Sequence, residues 1–108
     1  MVEFSSLDRT FAALADPTRR AILARLHHGP LTVSDLARPF PVSLPAVMKH
    51  IGVLSDAGLV TREKKGRTVT CRLEAAPLES ANAWLERYRL FWSDALDRLA
   101  AVAEQETR

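Results

Sequence analysis

Apolar side chains recur at helical spacing at the start of the chain and predict a helix over residues 6–15. The stripe consists of Leu7, Phe11 and Leu14. The Asp16-Pro17 step then predicts a boundary, because aspartate is a favoured N-cap and proline suits the first position of a helix. A second helix is predicted through the segment TRRAILARLHH and ends at a Gly-Pro pair.

Two further helices, separated by a short turn, are predicted next. Thr32 caps the first of them, and the two prolines within residues 39–42 form the turn. Ser43 caps the fourth helix, and Gly58 ends it where a left-handed backbone is needed. The buried stripe of this fourth helix recurs at i, i+4 and i+7 and comprises Val47, Ile51 and Leu54.

A β-hairpin is predicted by the β-branched residues on both sides of Lys65-Gly66, with this pair as its two-residue turn. Position 64 then pairs with 67, 62 with 69, and 60 with 71. Period-two alternation places Val60, Cys71 and Leu73 on a core face at the base of the hairpin. The hairpin is therefore expected to be apolar at its root and cationic at its tip.

The longest predicted helix covers residues 78–103 and follows Pro77. One side of it is apolar and consists of Leu78, Leu85, Tyr88, Trp92, Leu96, Leu99 and Val102. Trp84 and Phe91 form a second apolar stripe nearby. A single small core could not bury both stripes, so this helix is expected to need a further apolar surface.

The composition is that of a single soluble domain spanning residues 1–108, with 47% hydrophobic and 26% charged residues. No apolar run approaches the length of a membrane span, and the start of the chain does not resemble a signal peptide. The one cysteine excludes a disulfide within the chain. These features favour the cytoplasm and no membrane partner.

The positive charge is concentrated in one short segment of the chain, which bears on the class of partner. The net charge is only +2, yet residues 59–73 carry five basic side chains and one acidic side chain. A polyanionic partner explains such a cluster, and a solvated lysine-rich loop explains it equally well.

The order of elements separates these two interpretations. A short helix, a tight turn and a second helix match a helix-turn-helix, and the basic hairpin that follows matches the wing of a winged helix. The sequence thus predicts a mainly α fold with a small β-hairpin, a winged helix-turn-helix in the order α-α-α-α-β-β-α that binds double-stranded DNA.

The fourth helix is the predicted recognition helix. With Val47 at the centre of its buried face, Pro45, Lys49 and Gly52 fall on the far side, and Ala46 and Met48 lie on the flanks. Apolar flanks suit thymine methyl groups, and a lysine suits guanine or phosphate. The predicted DNA-contacting residues are Ser43, Leu44, Pro45, Ala46, Met48, Lys49, His50, Arg62, Lys64, Lys65 and Arg67. For His50 packing is the alternative, and a phosphate contact is preferred.

Three segments, LADPTRRAILARL, SLPAVMKHIGVLSDAGLV and REKKGRTVTCRL, together resemble the ArsR/SmtB family of bacterial winged-helix repressors. The resemblance implies a homodimer on a palindromic operator, with the helices of residues 1–15 and 77–103 at the interface. The predicted interface residues are Leu7, Phe11, Leu78, Leu85, Tyr88, Trp92, Leu96 and Leu99. Many members of the family have serine where this chain has Met48, so its preferred operator is expected to differ.

The metal sites known in this family are not matched. Thr32 and Ser34 stand where the arsenic-type site needs cysteines, and the last helix has Asp94 and Asp97 but no histidine for the zinc-type site. We therefore expect no metal, no other cofactor and no enzymatic activity. An unidentified small-molecule inducer stays open. So do two alternative functions, a winged-helix module for protein–protein contact and a thiol redox sensor that uses Cys71.

Overall fold

A computed structural model describes residues 5–106 of the protein. Its elements, in chain order, are α1 (Ser6–Leu14), α2 (Pro17–Leu26), β1 (Leu31–Thr32), α3 (Val33–Ala37), α4 (Leu44–Asp56), β2 (Val60–Lys65), β3 (Thr68–Leu73), α5 (Ala76–Glu86) and α6 (Arg89–Glu106). Residues 1–4 of the first predicted dimerisation segment lie outside the described residues, as do residues 107–108 of the predicted domain. The predicted winged-helix fold class is confirmed.

The first four helices begin at side-chain caps. Ser5 accepts a hydrogen bond from the backbone N–H of Asp8, and the Asp8 carboxylate accepts one from the N–H of Ser5 in return. The predicted caps Asp16, Thr32 and Ser43 are confirmed, and each accepts a hydrogen bond from the backbone N–H three residues further on. Since each cap satisfies an N–H that would otherwise have no partner, the caps fix where these helices start.

The core lies where α2, α3 and α4 meet the root of the sheet. Its buried side chains are Ala13, Ile22, Leu23, Leu26, Leu36, Val47, Ile51, Leu54, Leu59, Val60 and Cys71. The predicted stripe of α4 is confirmed, because Val47, Ile51 and Leu54 are at most 1% exposed. The predicted core face of the hairpin is confirmed as well, with Val60 and Cys71 buried and Leu73 packed against them. Burial of the Val47, Ile51 and Leu54 stripe fixes how α4 is rotated about its own axis.

The sheet has three antiparallel strands in the order β1-β3-β2. The predicted register of the hairpin was wrong by two positions: Lys65 pairs with Thr68 and Arg62 with Cys71, so the turn residues are Gly66 and Arg67. Gly66 has φ +61 and is the first residue of the turn, a position that favours glycine in hairpins. A shift of two residues leaves every side chain on its predicted face.

Strand β1 was not predicted from the sequence. It has only two residues, Leu31 and Thr32, which pair with Cys71 and Thr70. The strand connects the start of the helix-turn-helix to the wing through backbone hydrogen bonds. Because Thr32 also caps α3, the position of α3 is tied directly to the sheet.

The prediction of one long helix over residues 78–103 was wrong, because the structure divides this segment into α5 and α6. At the break the backbone N–H groups of Arg87 and Tyr88 donate to the carbonyls of Trp84 and Leu85, three residues earlier. This tighter hydrogen-bonding pattern interrupts the α-helical one. The segment WLERYRLFW contains neither proline nor glycine, so no residue type in it predicts the break.

The two parts differ in how they pack. Ala81 of α5 is buried, Leu78 packs against the core, and the ring of Phe11 in α1 lies 5.6 Å from that of Trp84. In contrast, α6 has no buried residue. The radius of gyration is 18.9 Å, compared with roughly 13 Å for a compact chain of this length. None of the helices within residues 5–106 is long and apolar enough to span a membrane.

Gly58 provides a test of the stop signal of α4. It has φ +75, and a Cβ at this position would lie 3.5 Å from Pro77, an ordinary contact distance. The cost of Gly58→Ala should therefore come from the backbone, and we expect a loss of about 1–2 kcal/mol in the free energy of unfolding. Denaturant titration measures this loss.

Gly52→Ala is the matched control. Gly52 lies inside α4 without a positive φ, and a Cβ added there would meet no atom within 4 Å. This change should raise the free energy of unfolding by about 0.5–1 kcal/mol. Equal effects of the two substitutions would show that the left-handed backbone at Gly58 does not limit stability.

Candidate nucleic-acid interface

Helices α3 and α4 form a helix-turn-helix joined by residues 38–43. Leu36 of α3 and Val47 of α4 are both fully buried in the shared core. Arg25 of α2 donates hydrogen bonds to the backbone carbonyls of Asp35 and Leu36, at 2.9 and 2.7 Å. These bonds hold the C-terminal half of α3, whose carbonyls have no partners within so short a helix. Helix α3 is thus held both by the burial of Leu36 in the core and by the hydrogen bonds from Arg25.

The outward surface of α4 is sparse in polar groups. Leu44 is 47% exposed and Met48 is 50% exposed, and Pro45 and Lys49 are exposed beside them. We call these four residues the recognition face. Ala46, predicted on the flank of this face, is only half-buried, and Ser43 uses its hydroxyl oxygen to cap the helix. The chain therefore presents mainly apolar side chains and a single lysine where a solvated helix normally carries several charges.

The wing, formed by β2, β3 and the Gly66–Arg67 turn, presents the predicted cations. Arg62 and Lys64 lie on the same face of β2 as Val60 but are exposed, since the core ends below them. Lys65, predicted at the turn, is instead the last residue of β2, and its Nζ lies 3.4 Å from Glu63 Oε1. Arg67 lies in the turn itself. Three of the four cations thus have no carboxylate partner among the ion pairs found in residues 5–106.

Two shallow cavities connect the recognition face to the wing, and Met48 lines both. One, of about 310 Å³, runs from Leu44 and Val33 to Val69 and Arg67. The other, of about 230 Å³, is bounded by Ile51 and by Arg62 and Lys64. The two cavities share Val33, Met48 and Val69, so they adjoin along a groove between α4 and the wing that has a largely apolar floor and a cationic rim.

His50 lies on the side of α4 that faces α2. Its Nδ1 is 3.3 Å from Arg19 Nη1 and 3.9 Å from Asp16 Oδ1. A guanidinium only donates hydrogen bonds, so Nδ1 is the acceptor in this contact, and Nε2 is the ring nitrogen left to carry a proton. The phosphate contact of His50 stays a prediction, and Nε2 is the atom that would make it.

Arg19 connects three elements. Besides His50, its side chain donates to the carbonyls of Ala13 and Ala12 at the end of α1, at 2.7 and 3.1 Å. Its backbone N–H donates to the Asp16 carboxylate and lowers the pKa of Asp16; burial opposes this effect, and a positive charge on nearby His50 would add to it. A cation at the C-terminal end of α1 also suits the helix dipole.

The thiol of Cys71 is fully buried, and burial raises its pKa while Arg62 opposes the rise. Such a thiol is protonated at neutral pH and is shielded from oxidants. Within residues 5–106, no three His, Cys, Asp or Glu side chains come together in a way that could hold a metal ion.

Comparison with known proteins agrees with this geometry. A helix-turn-helix domain model matches residues 14–63, which run from the end of α1 into the wing. The HTH-type transcriptional regulator Rv2034 of Mycobacterium tuberculosis is 43% identical over 106 residues, 98% of this chain and 96% of its own. The chain belongs to the ArsR/SmtB family. It is a DNA-binding transcriptional regulator and not an enzyme.

Two further comparisons support the family and the fold. The transcriptional repressor SdpR of Bacillus subtilis is 32% identical over 79 residues, which cover 73% of this chain and 88% of SdpR. The crystal structure of the ArsR family transcriptional regulator RHA00566 superposes with a TM-score of 0.77 at 48% identity, covering 82% of this chain and 98% of that one. The family resemblance of the sequence is thus confirmed.

Arg19 was missed as a site-supporting residue, although it lies in the family-like segment LADPTRRAILARL. The one local signal was its position three residues after the Asp16 cap, which places it in the first turn of α2 near the end of α1. Its contact with His50 spans 31 positions of the chain, and no local pattern predicts such a contact.

Arg19→Ala should lower the free energy of unfolding by about 1.5–3 kcal/mol, because a charged donor to the carbonyls of Ala12 and Ala13 is lost. Arg20→Ala is the matched control, since Arg20 makes a single exposed bond to the carbonyl of Leu14 at 2.8 Å and should cost less than about 1 kcal/mol. Urea titration of both variants at one protein concentration makes the comparison. If the two variants were equally stable, the hydrogen bonds of Arg19 would contribute no more to stability than the single bond of Arg20.

Proposed function

We propose that the protein is a repressor that binds a palindromic operator as a homodimer, with α4 of each protomer in the major groove and the wing on the DNA backbone. The observation that carries this proposal is the recognition face, exposed and nearly uncharged. It lies directly beside three wing cations that have no carboxylate partner within the described part of the chain. The name of SdpR, a transcriptional repressor, supports the direction of regulation.

The dimensions of α4 suit the major groove. Its 13 residues span about 20 Å, and a helix of about 10–12 Å diameter fits a groove about 12 Å wide. The outward-facing residues of α4 lie in its N-terminal half. In a helix-turn-helix, the N-terminal residues of the second helix contact the bases. Leu44, Pro45, Met48 and Lys49 are therefore proposed to face base edges.

The wing is proposed to bind phosphates. Arg62, Lys64 and Arg67 are long cationic side chains on an exposed hairpin, and no planar partner orients them for base recognition. Lys65 forms an ion pair with Glu63, which partly neutralises its charge, so we expect a weaker phosphate contact from this residue. The Nε2–H of His50 adds a candidate phosphate donor on the α2 side of the helix.

The proposed dimer rests on α6. Its large apolar side chains are all exposed: Leu90 77%, Phe91 60%, Trp92 61%, Leu96 64%, Leu99 67% and Val102 52%. Monomeric proteins rarely leave so extended an apolar surface in water. Leu85 and Tyr88, half exposed at the α5–α6 break, continue this surface, and half-buried Leu7 and Phe11 of α1 lie at its margin. A two-fold dimer through this surface would match a palindromic operator.

The first test separates the two kinds of DNA contact. Lys64→Ala should weaken binding to operator and to scrambled DNA by similar factors, and should lower the salt slope of the binding constant by about 1. Met48→Ala and Lys49→Ala should cost about 1–3 kcal/mol on the operator and change the preferred bases. Fluorescence anisotropy on both duplexes over a range of salt provides the measurement.

Arg72→Ala is the control for the wing, since Arg72 is an exposed cation of the same hairpin on the face opposite Lys64. It should leave the salt slope nearly unchanged. Loss of operator binding alone in Lys64→Ala, or equal loss on all DNA in Met48→Ala, would contradict these roles. If no variant altered DNA binding, the protein-contact alternative would be favoured.

The second test concerns assembly. Analytical ultracentrifugation should give a dimer of twice the 12.0 kDa chain mass at micromolar concentration. Trp92→Glu should produce a monomer, because it places a charge on the apolar side of α6. Asp97→Lys, a charge change on the polar side of the same helix, should leave the dimer intact. A monomeric native protein, or a dimer unaffected by Trp92→Glu, would rule out the proposed interface.

A further inference from the structure

The recognition face has little capacity for hydrogen bonding. Among residues 44–52, only Lys49 and His50 carry polar side chains, and His50 is turned toward α2. Pro45 has no side-chain polar group and no N–H. The hydroxyl oxygen of Ser43 accepts the N–H of Ala46 at 3.3 Å, which leaves its O–H as the one further donor at the start of the helix. Most of the surface that would meet base edges is therefore hydrocarbon, from Leu44 and Met48.

This hydrocarbon surface continues into the groove between α4 and the wing. Val33 and Val69 line both cavities there, together with Met48, and the larger cavity also has Thr32, Ser34 and Thr68 in its wall. Val42, just before the helix, is a further exposed apolar residue at 43%. Arg62, Lys64 and Arg67 border the same groove. An occupant must therefore combine apolar groups facing the floor with negative charges along the rim.

A DNA strand meets this requirement through only one base substituent. In the major groove every base edge presents hydrogen-bond donors or acceptors, and thymine alone adds a methyl group. A donor or acceptor pressed against Leu44 or Met48 would lose water without gaining a partner, which is unfavourable. A thymine methyl loses no such bond and gains apolar contact, while the adjacent phosphates meet the cations.

We infer that the protein recognises its operator chiefly through thymine 5-methyl groups, which pack against Met48 and Leu44 at the mouth of the helix–wing groove. This inference rests on the proposed function and adds the chemical feature of the operator that is recognised. Each operator half-site should then contain thymines at the positions opposite these two side chains.

Replacing thymine by deoxyuridine tests the inference, because it removes the methyl group and keeps the base pair. Each thymine of a footprinted operator is replaced in turn. At the contacted positions we expect about a fourfold loss of affinity, from about 0.8 kcal/mol per buried CH2 group and about 1.4 kcal/mol per tenfold change. At the other thymines the affinity should not change.

Protein variants assign the methyl contact to its side chain. In Met48→Ala, at least one of the sensitive thymines should become insensitive to uridine replacement, whereas Met48→Leu should keep most of the effect. Lys64→Ala is the matched control, since a phosphate contact should weaken all duplexes and leave the thymine-to-uridine ratio unchanged. A cytosine placed at a sensitive position should bind better when it carries a 5-methyl group.

The outcomes distinguish this inference from the proposed function. If operator binding is specific but uridine replacement has no effect at any position, the methyl inference is wrong and the proposed function stands. The methyl inference is also wrong if the uridine effect persists unchanged in Met48→Ala and in Leu44→Ala. If the protein does not prefer any promoter DNA over scrambled DNA, both fail.

Discussion

The interface depends on the packing of one face of α4. Val47, Ile51 and Leu54 are inserted into the core against α2, α3 and the root of the sheet, and this burial fixes the rotation of the helix. Everything on the opposite side follows from it, because a helix that buries one stripe must expose the residues about half a turn away. The core therefore determines which side chains can reach DNA, although none of the core residues would touch it.

The same constraint divides the hairpin. Val60 and Cys71 bury the root of the hairpin in the core. Because the core ends below Arg62 and Lys64, the side chains toward the tip are exposed to solvent, where cations are stable. Strand β1 and the cap at Thr32 then tie the wing to α3. Arg19 adds a second tie, from the end of α1 to His50 on α4. Helix, wing and the N-terminal helix are thereby held as one unit, whereas α6 extends away without a core of its own.

Local signals in the sequence were sufficient for most of this architecture. Caps such as Asp16 and Ser43, and the stripe of α4, depend on residues within one or two helical turns, and they were predicted correctly. The failures are non-local or geometric. The two-residue strand β1 exists only because β3 is beside it, and the α5–α6 break carries no proline or glycine. The hairpin turn was misplaced by one residue, which shifted the strand register by two, because β-branched residues flank both alternatives. For the site, the exposed position of Met48 follows from helical periodicity, whereas the Arg19–His50 contact depends on how three helices meet.

The buried thiol gives the molecule an internal reporter. Cys71 is the chain's one cysteine, is fully enclosed at the centre of β3, and pairs across to both β1 and β2. A thiol reagent can reach it only after the sheet has opened, so the rate of chemical labelling is governed by the opening equilibrium of the native protein. The chain thus carries its own probe of how often the wing separates from the helices, and labelling in the presence and absence of DNA would read out how far DNA holds the two together.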